Sequence, residues 1–500
     1  MYRITACLIG ICALALPSAS AQPIAPVSPA VAAIEARLAA QEAEIGRLRA
    51  QLEAQAQTVQ RLPPTENATP ALAIAPIDVP DQSVAPTSHS IEERFNAFEQ
   101  DWKAFQDNQK KAKDEAEGKP TVQVGGQVQA DFVSFQQDAV SRASVGDLQD
   151  GADFRRARIV IRGKAFEVYE YAFGVDFALA GRPSFLDLYI EHRDLPFLQH
   201  LRVGHYFEPF SLERMTQNRN TTFMERSLVD TFAPARNMGL MAFGHTENKR
   251  ATWQIGTFRS GSDNFGNDSF DSGQALTMRG TCLPYWDDLT ERHFLHFGLG
   301  YSYRDAYRDG VRFRNTPEMR LEQPSAPSDN FAPIFVDTGN IPARHFQLLD
   351  SEVAWVNGPF SIQSEYALAA VDQIGNPNVT FDAFMLQASY FLTGESRPYN
   401  RYMGIFDRIV PFGNFFRVRT QDQGIQMGPG AWEVAARYSW INLTQKNVLG
   451  NDLQDFTFGL NWYLNPYLRA KFNYVRAFLD DPVTGRSTTN LYGMRVDYEF

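Results

Sequence analysis

From Thr121 to the end of the chain, apolar and aromatic residues recur at every second position. The first run sets Val122, Val124, Gly126, Val128, Ala130 and Phe132 against Gln123, Gln127, Gln129 and Asp131. The last run sets Tyr492, Met494, Val496, Tyr498 and the terminal Phe500 against Leu491, Gly493, Arg495, Asp497 and Glu499. A period of two predicts strands with one greasy and one wet face. Further runs begin near Phe154, Tyr171, Phe185, Leu201, Met238, Thr252, Ala275, Phe294, Phe346, Phe360, Phe381, Ala431, Phe456, Leu468 and Leu491. Together they predict an all-β fold over 121–500: a transmembrane antiparallel β-barrel of about 16 strands. For the terminal strand alone, the alternative is an edge strand of a soluble sandwich.

The period is different upstream. Val31, Leu38, Ile45, Leu52 and Val59 occupy one position of a heptad, with Ile34, Leu48 and Leu62 on the same seam and charged residues on the flanks. Residues 22–62 are therefore expected to form an α-helical coiled coil, and so narrow a seam requires self-association. Its mixed core leaves dimer and trimer open. A Pro- and Ala-rich linker follows over 63–89. Ser90 and Glu93 then make a capping box that opens a short amphipathic helix over 90–118, striped by Ile91, Phe95, Phe98, Trp102 and Phe105.

In a barrel whose terminus lies on the periplasmic side, odd connections should be long outer loops and even ones short turns. Short turns are expected at Asn248-Lys249, Asn357-Gly358-Pro359 and Asn465-Pro466, and long loops over Phe207–Ala235, Gly261–Gly273 and Ala306–Arg344. Gly394–Gly430 breaks the pattern, being an even connection far too long for a turn. Its expected place is the lumen.

Composition agrees with a wet-centred barrel. The 500 residues are 13% aromatic yet polar on average, with a mean hydropathy of −0.33. The net charge of −11 argues against a general nucleic-acid partner. Arg3, an apolar run from Ile4 to Leu16 and Ala19-Ser20-Ala21 read as a signal peptide over 1–21. Its removal leaves Cys282 as the sole cysteine, so no internal disulfide is expected. No later apolar run reaches the ~18 residues of a membrane helix. The expected location is the outer membrane of a Gram-negative-type bacterium, with lipid around the barrel and the coiled coil in the periplasm.

The wet faces carry the candidate chemistry. In Phe154–Ala165, placing Ala157, Ile159, Ile161 and Gly163 against lipid turns Arg156, Arg158, Arg162 and Lys164 inward. The opposite phase would put Arg or Lys in lipid at about 2–4 kcal/mol each. The same reasoning turns Arg279, Arg437, Arg469, Lys471 and Arg495 inward, along with Asp176, Asp187, Glu191 and Glu433. A basic wall favours anions, and the arginine fork suits oxyanions. No glycine-rich phosphate loop, H-E-x-x-H or G-x-S-x-G occurs, so neither an enzyme nor a cofactor is expected.

Several stretches resemble the phosphate-selective porin O/P family of outer-membrane channels. They are Val203–Arg214 with Phe223–Arg226, Ser389–Tyr399, Gly428–Leu443 and Gly459–Val475. The resemblance implies a homotrimer of sixteen-stranded, anion-selective barrels, with two outer loops and one periplasmic turn folded into the lumen. Those segments correspond to Phe207–Ala235, Ala306–Arg344 and Gly394–Gly430. The family sets phosphate selectivity with constriction lysines and an arginine ladder. Here the third loop offers Arg214, Arg219 and Arg226 but no lysine, so the family's phosphate site does not carry over residue by residue. The expected function is passive diffusion of small anions, phosphate or related oxyanions among them. The alternatives are a non-specific porin and a structural tether to the cell wall through the coiled coil.

Overall fold

The computed structural model describes residues 119–178, 183–260, 273–306, 310–321, 334–416, 418–419 and 425–500. The expected signal peptide, coiled coil, linker and amphipathic helix lie outside the described residues.

Sixteen long strands form the barrel. The first eight are β1 (Gln123–Gln137), β2 (Gly151–Ala165), β3 (Tyr169–Asp176), β4 (Ser184–Leu195), β5 (Gln199–Phe207), β6 (Arg236–His245), β7 (Ala251–Arg259) and β8 (Gln274–Trp286). The second eight are β9 (His293–Asp305), β10 (Ile341–Asn357), β11 (Phe360–Gln373), β12 (Val379–Phe391), β13 (Ala431–Gln445), β14 (Val448–Tyr463), β15 (Leu468–Asp481) and β16 (Gly485–Glu499). Each predicted run of alternation falls within one of them. Successive strands pair antiparallel, and β1 closes on β16 from Gln127 opposite Glu499 to Gln137 opposite Thr489. Ile159, Phe173, Ile190, Val203, Leu240, Phe456, Phe472 and Tyr498 are exposed on the outer surface, an apolar exterior that suits lipid.

The connections follow the expected parity in part. Even connections are short except 392–430, as expected. Odd connections 208–235, 260–273 and 306–340 are long, but the last three, 374–378, 446–447 and 482–484, are tight, contrary to expectation. Gly375 (φ 78°), Lys446 (φ 52°) and Gly485 (φ 90°) supply the left-handed backbone that such reversals use.

The described residues of the three long segments 208–235, 306–340 and 392–430 pack against the inner wall on one side. Phe210, Met224, Leu228, Val229 and Phe232 of the first join Phe313, Met319, Leu321 and Phe335 of the second. Both pack on Val371, Phe381, Ile441, Leu453, Val475 and Leu491 of the wall. Leu212, Ile405 and Phe406 join a second cluster on Leu283, Trp286, Phe294 and Val356. Each fully buried large apolar side chain contributes about 1.5–3 kcal/mol relative to exposure in a wet lumen. The wall makes room for the segments with glycine. A Cβ on Gly300 would lie 2.2 Å from the carbonyl oxygen of Phe210, and one on Gly493 would lie 2.7 Å from Met319. The segments therefore lean on β8–β16 and leave the β1–β6 side open.

Candidate functional site

Two cavities occupy the open side. One, of about 780 Å³, is lined by residues of β2–β6 and of the segments 208–235 and 306–340. The other, of about 940 Å³, lies nearer the rim that carries Phe500 and Tyr402. Both linings include Arg158, Leu186, Phe207, Asn218 and Arg236. The two spaces adjoin at these five residues, a shared wall termed the neck.

The neck is held by crossed polar contacts. Arg158 Nε donates to Asp176 Oδ2 at 2.6 Å, and Arg158 Nη1 donates to Asn218 Oδ1 at 2.9 Å. Asn218 comes from the inserted segment and donates onward to Gln127 Oε1 at 3.0 Å, which ties that segment to β1. Arg236 Nε donates to Asp187 Oδ1 at 2.8 Å, and its guanidinium carbon lies 3.8 Å from the centre of the Phe207 ring. The cations of Arg214 and Arg226 lie 5.5 and 5.7 Å from the same ring. The aromatic face and the paired carboxylates fix these guanidiniums in place.

Above the neck the wall is strongly basic. Among the described residues the 780 Å³ cavity is lined by eight arginines, at 155, 156, 158, 214, 226, 236, 314 and 320. Four acids, Asp176, Glu225, Asp230 and Glu318, face the same space. Arg155 faces inward because the β1–β2 register shifts between Gln129, opposite Arg156, and Ala130, opposite Phe154. Arg155 is the extra residue of this bulge, so two consecutive arginines reach one cavity. Arg155 donates from Nε to Glu225 Oε1 at 2.9 Å and from Nη2 to Oε2 at 3.1 Å, while Arg156 Nη1 donates to Gln129 Oε1 at 2.6 Å. Burial alone would raise the Glu225 carboxyl, but Arg155, Arg495 and Arg156 together hold it well below its ordinary value.

The 940 Å³ cavity is lined, beyond Arg158 and Arg236 of the neck, by Arg162, Arg193, Arg202 and Arg219, with Glu170, Asp187, Glu191 and Asp194 on the same lining. Arg162 is exposed to this space and has no ion-pair partner among the described residues. Lys164 stands 3.5 Å from Glu170, and Arg219 lies 3.3 Å from Glu499. Glu191 accepts from both Arg202 and His200.

The other basic residues expected on the wall also point inward, but they are buried in pairs, most of them with the inserted segments. Arg279 pairs bidentately with Glu352 at 2.7 Å and donates to the carbonyls of Met403 and Gly404. Arg437 binds Glu318 and, at 3.1 Å, Glu213. Lys471 donates to the Thr221 and Phe223 carbonyls, Arg469 pairs with Asp497, and Arg495 pairs with Asp131 and Glu225. Within 208–235, Arg214 pairs with Asp230 at 2.9 Å, and Arg226 donates to the carbonyls of Glu213, Arg214 and Thr216. Of the inward acids, Asp176, Asp187 and Glu191 pair with arginines that line the two cavities, and Glu433 accepts from Asn461 and Tyr463.

Six lining arginines were not singled out in the sequence: Arg155, Arg193, Arg202, Arg236, Arg314 and Arg320. Arg202 alternates inward on β5, so its phase could have marked it, whereas Arg236 shares the parity of the exposed Met238 and Leu240 and alternation does not mark it. Arg155 lies off phase, and alternation cannot find it.

Residues 122–500 match the family described as phosphate-selective porin O and P. Porin O of Pseudomonas aeruginosa is 26% identical over 389 residues, covering 72% of this chain and 83% of its own. An uncharacterized protein of Caulobacter vibrioides is 24% identical over 336 residues, covering 65% and 62%. Among solved structures, an anion-selective porin from Comamonas acidovorans has a TM-score of 0.45 at 12% identity, covering 76% of this chain and all of that one.

Proposed function

We propose, from the premise that the chain belongs to the phosphate-selective porin O and P family, that it passes small oxyanions, phosphate among them, through the arginine-lined passage beside β1–β6. The closed barrel and the family together support an outer-membrane location. The observation that carries the reading is the neck itself: Arg158 and Arg236 belong to both cavities, so an ion crossing from one to the other passes two guanidiniums. The chain as a whole is acidic, at −11, whereas the upper cavity wall has twice as many arginines as acids. Low-dielectric walls lined with one sign of charge concentrate the opposite ion. An oxyanion that sheds water at the neck meets paired N–H donors in return.

Transport in this reading is passive. The barrel supplies a fixed field, and the electrochemical gradient supplies direction. Among the described residues neither cavity is lined by lysine, so guanidiniums alone would set the preference. The proposal includes assembly as a homotrimer, with the coiled coil over 22–62 as a periplasmic support for it. Single-channel chloride current in planar bilayers tests the phosphate component. Micromolar to millimolar phosphate should block the current in a concentration-dependent way. A current indifferent to phosphate would leave an anion channel without that preference.

A further inference from the structure

The apolar exterior of the barrel is interrupted on β15. Arg476 alternates with the buried Val475 and Ala477 and shares the outward parity of the exposed Phe472, so its side chain stands on the membrane face. Phe456 of β14 and Asn490 of β16 lie directly opposite it. The guanidinium is 5.2 Å from the centre of the Phe478 ring and has no hydrogen-bond or ion-pair partner among the described residues. A charge on the lipid face is unfavourable unless its side chain reaches the headgroups.

Three aromatic side chains fix its depth. Tyr366 donates to Asp382 at 3.0 Å, Trp440 to Asp452 at 2.8 Å and Tyr474 to Asn490 at 2.7 Å. In each case the ring directs its polar tip toward the outer rim, because the acceptor lies opposite a residue two positions further out. Rings with wet tips mark the edge of the hydrocarbon. Arg476 shares a cross-strand row with Tyr438, Phe456 and Asn490, at that edge. The next two rows toward the periplasm are Phe458, Tyr474 and Tyr492, then Leu460, Phe472 and Met494. Asn490 Oδ1 is occupied by Tyr474, which leaves its Nδ2 to donate, and the exposed Gln136 of β1 stands opposite Asn490. Three adjacent strands thus place donors in one row above an apolar wall.

We infer that Arg476, with Asn490 and Gln136, seats a phosphate of an outer-leaflet glycolipid on the exterior of the barrel. A guanidinium fork donates in pairs to a phosphate edge. A phosphate carried on acyl chains is held at the edge of the hydrocarbon, and the apolar rows below Arg476 would lie along those chains. A neighbouring subunit fits less well. Around an axis along the membrane normal it would have to present an outward acid at the same depth, and Asp382, Asp452 and Asp480 stand two rows nearer the rim. Those acids are also engaged, Asp480 with Arg486 at 2.9 Å and the other two with the aromatic tips. The inference rests on the outer-membrane placement of the barrel and not on what its pore conducts.

The test titrates the purified full-length protein in detergent with bisphosphorylated lipid A and with its dephosphorylated form, reading bound lipid by native mass spectrometry. Wild type should bind the phosphorylated form about tenfold more tightly, the size of one charge-assisted hydrogen bond. R476Q should lose most of that preference, and R476K, which keeps the charge without the fork, should keep part of it. Single-channel chloride conductance of R476Q should match wild type, because the side chain lies outside the pore. Wild type indifferent to the phosphates overturns the inference without recourse to any variant, as does R476Q with the wild-type preference. A changed oligomeric state in R476Q with the lipid preference intact would put a neighbouring subunit on Arg476 and overturn it as well. Wild type that does not enter lipid bilayers would instead overturn the membrane placement beneath it.

Discussion

Asp131 and Arg495 stand directly opposite each other across the seam where β1 closes on β16, bound bidentately at 2.7 and 2.6 Å. Both side chains are 1% exposed. Arg495 also reaches Glu225 and the carbonyl of Met224, so one guanidinium joins the barrel seam to the inserted segment 208–235. Arg495→Gln would leave Asp131 buried without its charge partner, a loss of about 3–5 kcal/mol. The temperature at which the barrel loses its compact electrophoretic mobility should fall clearly. D131N in the same background should recover part of the loss, because it removes the stranded charge.

Arg158 belongs to both cavities and is held by Asp176 and Asn218. Arg158→Glu places a negative charge at the neck and should reduce anion preference, moving the reversal potential in a salt gradient toward zero or past it. Unchanged selectivity would place the ion path elsewhere.

Much of this was legible in the sequence, and the reason is physical. Lipid on one side and water on the other enforce a period of two, so each strand could be located from runs such as Leu491–Phe500. The overlong connection 394–430 also stood out by parity alone. What alternation could not give was which inward arginines remain beside open space. Arg279, Arg437, Lys471 and Arg495 have the right phase, but the inserted segments lie on their side of the barrel and engage them, while Arg469 is taken up by Asp497 of β16. Conversely, Arg155 has the wrong phase and faces the cavity through a bulge that two-fold alternation does not register.

The seating of the inserted segment depends on the absence of a side chain at Gly300. With the Phe210 carbonyl 2.2 Å from a would-be Cβ, Gly300→Val has no room unless backbone moves. Overpacking of this kind costs about 1–3 kcal/mol. The expected outcome is a lower unfolding temperature together with altered or noisier single-channel conductance, because 208–235 carries Asn218 to the neck. A variant identical to wild type in both would mean that the segment is not pressed against β9.

The charge on Glu225 also fixes a pH window. Its carboxyl is held well below the ordinary value of 4.5, because Arg155, Arg495 and Arg156 outweigh the effect of burial. The group therefore stays ionised above that value, and its influence is lost only as pH falls through the lowered pKa. The difference in chloride selectivity between wild type and E225Q should be constant from pH 7 to pH 5 and shrink only below the ordinary carboxylate range. A difference that disappears by pH 5 would contradict this charge state.

The central claim is that the open side of the barrel is a conducting path whose arginines select anions. The reversal potential of the wild-type channel in a planar bilayer, under a potassium chloride gradient, tests it most directly. A sign reporting chloride over potassium, weakened by R158E, is the predicted result. A potassium-selective sign, or a folded barrel that passes no current, would contradict it.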